Sequence, residues 1–222
     1  CDLIFDGLID LDKDLKYRPR LAESWTQYEE VYLAINTFWF LPGGGLEKDA
    51  RNWSDLLVKA LSENKQWSAN LRSIEVIPEK TLEGEIEKIG YILKQPARLK
   101  FTLKNIDQDF FEPVRKFLGE DYFKSFPYLR FIEAKDAGQQ KNLEKQYRAI
   151  LRVTEHNPVI VFDLRKDAVF HDGHPFDSGD VLFTYNSIVN AKGTSPRKSN
   201  YEPVELATVL GSHKIKFTYK RL

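Results

Sequence analysis

The chain has 222 residues, 42% hydrophobic and 30% charged, a mixture suited to one large or two small globular domains. Its 33 basic and 33 acidic residues cancel, which excludes the strong global field of a nucleic-acid or anionic-membrane binder. The single cysteine, Cys1, excludes an intrachain disulfide, and no run of ~18 apolar residues is present to span a bilayer.

Residues 3–11 alternate loosely around Gly7, which predicts a strand–turn–strand, and residues 10–16 form a polar turn. Pro19 leads into Leu21-Ala22-Glu23-Ser24-Trp25. Residues 31–41 are apolar and aromatic, and Pro42-Gly43-Gly44-Gly45 interrupts them. Residues 53–67 predict one amphipathic helix, with Ser54 as a cap and Leu56, Leu57, Ala60 and Leu61 on its apolar face. Ile74 and Val76 before Pro78 predict a short strand, whereas Ile86, Ile89, Ile92 and Leu93 fit strand and helix equally. Leu99, Phe101 and Leu103 alternate strictly, as a strand does. Asp107 is placed to cap a helix through Phe110, Phe111, Val114, Phe117 and Leu118 that closes at Gly119. Residues 122–132 are aromatic-rich and only partly regular, and residues 139–151 predict a helix. Trp25, Trp39, Trp53 and Trp67 share a fourteen-residue spacing, but their flanking residues do not align, so no repeat is inferred.

Residues 159–191 hold the clearest local grammar. Val159, Val161 and Leu164 predict a strand, and residues 168–170 a second short one. His171-Asp172-Gly173 turns the chain, because Asp-Gly tolerates positive φ, and Pro175 ends the extended structure. Asp177 stands at an N-cap with Asp180 three residues on, a variant of the capping box. Val181, Phe183, Tyr185, Ile188 and Val189 are the expected buried face of the helix that follows. Residues 192–200 read as a polar loop. Residues 204–209 and 214–220 predict a hairpin across Gly211-Ser212, with Ile215, Phe217 and Tyr219 on one face.

The segment FDLRKDAVFHDGHPFDSGDVLFTYNSI resembles the pattern F-x-LR-x-x-x-x-FHDG-x-PF-x-x-x-DV-x-F-(S/T)-(Y/F) of the family 5 extracellular solute-binding proteins. FDGLIDLDKDLKYRPRLAESW at the start and YEPVELATVLGSHKIKFTYKRL at the end resemble two further family stretches in the same order. The resemblance implies a mixed α+β (α/β) fold, part of the first lobe of a two-lobed periplasmic binding protein-like II architecture. Residues 1–26 and 156–222 would form an incomplete lobe core, with Trp25 in a tight turn and packed inside, and residues 27–155 an inserted α+β subdomain. Family members are the binding components of bacterial ABC importers, so the resemblance implies a non-catalytic, cofactor-free transport protein. Its partners would be a small solute and an inner-membrane ABC permease, and its location periplasmic or extracytoplasmic. Oligopeptides or dipeptides are the leading solute class, with nickel complexes, sugars or opines as alternatives. No ligand-contact residue carries over, since the shared motifs define the fold. Cys1 is read as the start of a segment of a longer chain, with lipid anchoring of the full-length form as the alternative.

Other chemistry was weighed on the residues. His171-Asp172 resembles the HD pair of metal-dependent hydrolases, but such a site needs further His and Asp, and only His156, His174 and His213 remain. A turn in which Asp172 bonds backbone amides and His171 packs nearby explains the pair better. His171 and His174 lack the further ligands that zinc requires, so no metal is expected. Asp107, Asp109 and Glu112 are explained by helix capping rather than by a cation loop. Gly43-Gly44-Gly45 lacks the following Lys-Ser/Thr of a phosphate cradle. Ser24 and Ser178 have no His–Asp partners in sequence. Trp39, Phe40, Tyr122, Phe126, Tyr128 and Phe131 are core candidates, and any left in a cleft would stack on a ligand. The runner-up function is an envelope protein-interaction module acting through residues 27–155.

Overall fold

The structure is a computed structural model that describes residues 7–86, 89–133, 137–190 and 195–220. In chain order the elements begin with β1 (Ile9–Leu11), β2 (Tyr17–Pro19), β3 (Ala22–Ala34), β4 (Phe40–Leu41) and β5 (Gly45–Leu46). Next come α1 (Ala50–Leu61), α2 (Lys65–Asn70), β6 (Leu71–Ile77), β7 (Lys80–Ile86), β8 (Ile89–Gln95) and β9 (Arg98–Leu103). Then follow α3 (Glu112–Leu118), α4 (Glu120–Lys124), a 3-10 turn (Tyr128–Phe131), β10 (Ile132–Glu133), α5 (Ala137–Ile150) and β11 (Thr154–Leu164). The chain ends with α6 (Ser178–Val189), α7 (Lys198–Tyr201), β12 (Val204–Gly211) and β13 (Lys214–Tyr219). The fold is mixed α+β, as the sequence predicts.

The chain divides into two compact units, residues 1–29 with 157–222, and residues 30–156. The division falls inside both long strands, β3 and β11. Arg165 N–H donates to Leu21 O (2.9 Å) in the first unit, and Ala34 N–H to Val153 O (2.8 Å) in the second.

In the first unit β13 lies between β12 and β11, antiparallel to both, with Ile160 opposite Phe217 and Phe162 opposite Ile215. The two-residue period of β13 turns Ile215 and Phe217 inward, where both are buried. They meet Phe162, Leu164, Phe176, Tyr185, Val204 and Ala207 in one apolar core. The Phe217 ring stands edge-on to Phe162 (5.9 Å) and to Tyr185 (5.8 Å). Asn157, buried among these strands, donates through Nδ2 to Tyr219 O (3.1 Å) and Glu205 Oε2 (3.2 Å), which satisfies its amide.

The capping box of α6 is present as the sequence predicts. Asp177 Oδ1 accepts from Gly179 N (2.7 Å) and Asp180 N (3.3 Å), and Asp180 Oδ2 accepts in return from Asp177 N (2.9 Å). Ser178 ties the same helix start to the β12–β13 turn: its N–H donates to Ser212 O and its Oγ to Gly211 O (2.7 Å). Asp177→Ala is expected to cost about 0.5–2 kcal/mol, and Asp177→Asn much less, in urea unfolding followed by circular dichroism.

Several predicted details of this unit are corrected. Residues 168–170 form no strand, only a single bridge of Val169 to Pro175, because the turn at Gly173 (φ 85°) reverses the chain at once. Phe183 does not face the core; it is 74% exposed, and Tyr185 is the buried aromatic of α6. Leu21 to Trp25 is not a tight turn but runs into β3, with Trp25 only half-buried against the core. The polar turn expected at residues 10–16 is present and joins β1 to β2. Asp12 Oδ1 accepts from the amides of Asp14 and Lys16 there, and Leu15 takes a positive φ of 59°. Cys1 and the first residues of the 3–11 segment lie outside the described residues.

In the second unit β9 pairs antiparallel with β6 and also neighbours β3, while β8 lies between β10 and β7. The ambiguous isoleucines are thus strand residues of the β7–β8 hairpin. Leu99, Phe101 and Leu103 all point inward with no exposure. An aromatic core gathers on them: Trp67 stacks on Phe110 (5.3 Å), and Phe101 stands edge-on to both. The predicted 53–67 helix is two helices, broken at residues 62–64, where Asn64 Oδ1 caps α2 by accepting from Trp67 N (3.1 Å). Asp49 rather than Ser54 caps α1. Its buried face is Trp53, Ser54, Leu57 and Leu61, while Leu56 and Ala60 are exposed. Asp107 closes a local turn onto Asp109 N (3.1 Å), and α3 starts only at Glu112, beyond Phe110 and Phe111. Gly119 ends α3 as expected, at φ 82°.

Candidate ligand-binding groove

In the first unit, the C-terminal part of α6, the short α7 and the start of β12 enclose a groove of about 430 Å³. Tyr185 and Val189 reach it from α6, Ser199 and Tyr201 from α7, and Val204 from β12. Among the described residues, Lys198, Glu202 and Lys220 also line it. The positions follow from the packing already described. Tyr185 is held in the core with its hydroxyl donating to Val204 O (3.5 Å), and burial pushes its phenol pKa up. The Tyr201 ring lies 6.2 Å from that of Tyr185. Lys220 is fixed by its backbone N–H, which donates to Pro203 O (2.7 Å). Aromatic and aliphatic side chains line the interior, and charged groups of both signs stand at exposed positions.

The residues weighed in the sequence are not gathered into a reactive site. His171 and Asp172 occupy an exposed surface turn, where Asp172 Oδ1 accepts from His174 N (3.0 Å), the expected role for Asp172. His171 is exposed and not packed. His213 is in the β12–β13 turn, and His156 packs edge-on to Phe111 in the second unit. Among the described residues no group of three or more His, Cys, Asp or Glu is assembled that would hold a metal. Ser178 uses its hydroxyl for the contact with Gly211, and Ser24 is exposed on β3. Gly43 and Gly45 supply the positive-φ positions of the β4–β5 hairpin. Of the aromatics, Tyr122, Phe126 and Tyr128 are buried, Trp39 and Phe131 pack against the same core, and Phe40 is 71% exposed.

None of the groove residues stands out in the sequence as a site. Lys198, Ser199 and Tyr201 fall in or beside a stretch that looks like polar loop, and Lys220 is the last residue of a predicted strand. The available signal was a pair of tyrosines, Tyr185 and Tyr201, flanking a polar break and followed by a mixed-charge stretch.

Residues 143–221 match the family model described as bacterial extracellular solute-binding proteins, family 5, middle. Over that segment the chain is similar to the family 5 solute-binding proteins. The segment contains the second half of α5 and all of β11, α6, α7, β12 and β13. It therefore includes every described residue that lines the groove. The match begins before the Phe162–Ile188 motif and does not reach residues 5–25. No curated protein and no solved structure matches the chain.

Proposed function

We propose that this chain is part of the substrate-binding component of a bacterial ABC importer that captures oligopeptides or dipeptides. The carrying observation is the solute-binding family segment at residues 143–221. In this reading residues 1–26 and 156–222 belong to the first lobe of a two-lobed binding protein, and residues 27–155 are an inserted subdomain. The separate apolar core of residues 30–156 supports the insertion. The protein works outside the cytoplasm, delivers its solute to an inner-membrane permease and catalyses no reaction. Among the described residues no helix is long and apolar enough to cross a membrane.

Two-lobed capture encloses the solute by hinge closure, so one part of one lobe holds the transported solute weakly. The test is calorimetry of the full-length protein and of residues 1–222 against a di- to pentapeptide library, together with peptide uptake in a strain lacking the gene. The expected result is saturable peptide binding by the full-length protein, weak or no binding by residues 1–222, and lost uptake. Unchanged uptake with no peptide bound by the full-length protein would overturn the peptide reading. Tight peptide binding by residues 1–222 would overturn the need for a second lobe.

A second reading is favoured by the exposed apolar side chains Phe38, Phe40, Leu46 and Leu56 of the second unit. There the inserted unit docks an envelope protein. Deleting residues 36–152 from the full-length protein tests it: unchanged uptake with loss of a co-purifying envelope complex favours docking, and lost peptide binding favours a role in capture.

A further inference from the structure

We propose that the groove formed by α6, α7 and the start of β12 is a binding site for a small zwitterion with an apolar side chain, of the α-amino-acid type. The site stands on the geometry of the first unit and does not depend on which solute the importer carries.

Its volume of about 430 Å³ lies within the ~300–1,000 Å³ of small-molecule sites. The interior matches an apolar or aromatic side chain: two tyrosine rings 6.2 Å apart, with Val189 and Val204 beside them. The hydroxyl of Tyr185 is already engaged with Val204 O, so that ring offers the groove an aromatic surface. The charged groups match the other end of such a ligand. Among the described residues, the side chains of Glu202 and Lys220 make no ion pair and no hydrogen bond. Lys198 Nζ makes a single long hydrogen bond to Asn190 O (3.4 Å), which leaves donors free.

Charges of both signs in one groove select by sign. A simple carboxylate would gain the lysines and meet Glu202; a simple amine would gain Glu202 and meet two lysines. A ligand bearing an ammonium and a carboxylate complements both. Lys198, Glu202 and Lys220 are all exposed, so each contact is screened by water and the affinity is modest, on the order of 0.1–1 mM.

Calorimetry and ligand-observed NMR of the 222-residue chain with L-phenylalanine, 3-phenylpropionate and phenethylamine test the site. Phenylalanine is expected to bind at ~0.1–1 mM and each singly charged probe at least ~5-fold more weakly. Lys220→Ala should weaken phenylalanine and 3-phenylpropionate about 5-fold, and Glu202→Gln should weaken phenylalanine and phenethylamine while sparing 3-phenylpropionate. Both substitutions are at exposed positions, and unchanged thermal melts confirm that the fold is intact. Absence of saturable phenylalanine binding up to ~20 mM, equal affinity for the three probes, or binding unaltered in both variants would each overturn the proposal. Failure of peptide uptake would leave these outcomes unaffected, so the two readings fail separately.

Discussion

Phe101→Ala is expected to destabilise the second unit by about 3–5 kcal/mol, the largest effect of any substitution considered. Phe101 has no exposed surface and lies in β9, whose inward positions Leu99, Phe101 and Leu103 are all fully buried. Its ring is edge-on to Phe110 at 5.1 Å and to Trp67 at 5.7 Å. Truncation loses the transfer free energy of the ring and leaves a cavity, because flanking β9 residues are held by strand pairing with β6 and cannot collapse into it. A whole domain is stable by only about 5–15 kcal/mol, so this is a large fraction. Urea unfolding followed by tryptophan fluorescence measures it, with Trp67 reporting on the site directly. Phe101→Leu keeps much of the volume and should fall between the parent and the alanine variant. A cost below about 1 kcal/mol for the alanine variant would show that the ring is not packed in the interior.

Tyr122→Phe is expected to cost about 1–3 kcal/mol although only one oxygen is removed. The Tyr122 hydroxyl donates to Ala34 O (2.6 Å) and accepts from Asn36 N (3.0 Å), so it ties α4 to the end of β3 across more than eighty residues of chain. Phenylalanine fills the same space and leaves both backbone groups without this partner. The side chain is fully buried, and burial drives its phenol pKa far above the ordinary 10.0. The folded state therefore keeps the proton while the unfolded phenol releases it above that ordinary value. Stability from this group is fully present below pH 10.0 and declines as pH rises beyond it. Urea midpoints taken between pH 8 and pH 11 should fall less steeply for Tyr122→Phe than for the parent. An equal slope in the two proteins would show that the phenol is open to solvent.

Local sequence fixes what can be decided within a few residues. The capping box of Asp177 and Asp180, the Asp172-Gly173 turn, the alternation of β9 and the inward pair Ile215 and Phe217 on β13 all follow from neighbour-scale rules of backbone geometry and period. The family signature is legible for the same reason, since it consists of these local devices spaced along one segment. Errors arise where a second element decides. Phe183 fits a helical apolar face in sequence, yet α6 lies on β12 and β13 by the side that carries Tyr185. Leu56 and Ala60 also fit such a face, but of the four residues expected there the core of the second unit takes only Leu57 and Leu61, together with Trp53. Residues 53–67 look like one helix because Asn64 has the composition of a helix surface; as a cap it begins a new helix.

The same division holds for function. By itself, the sequence determined a mixed α+β fold and the similarity to solute-binding proteins over the segment that ends in the β12–β13 hairpin. It also placed His171, Asp172 and Gly173 in a turn. Only the tertiary structure decided that Tyr185, Tyr201, Lys198, Glu202 and Lys220, up to thirty-five positions apart, line one groove. The physical reason is that a turn or a cap is written in adjacent residues. A groove depends on which faces of α6, β12 and β13 pack together, and that is set by burying Phe217 and Tyr185, residues that carry no mark of the site they create.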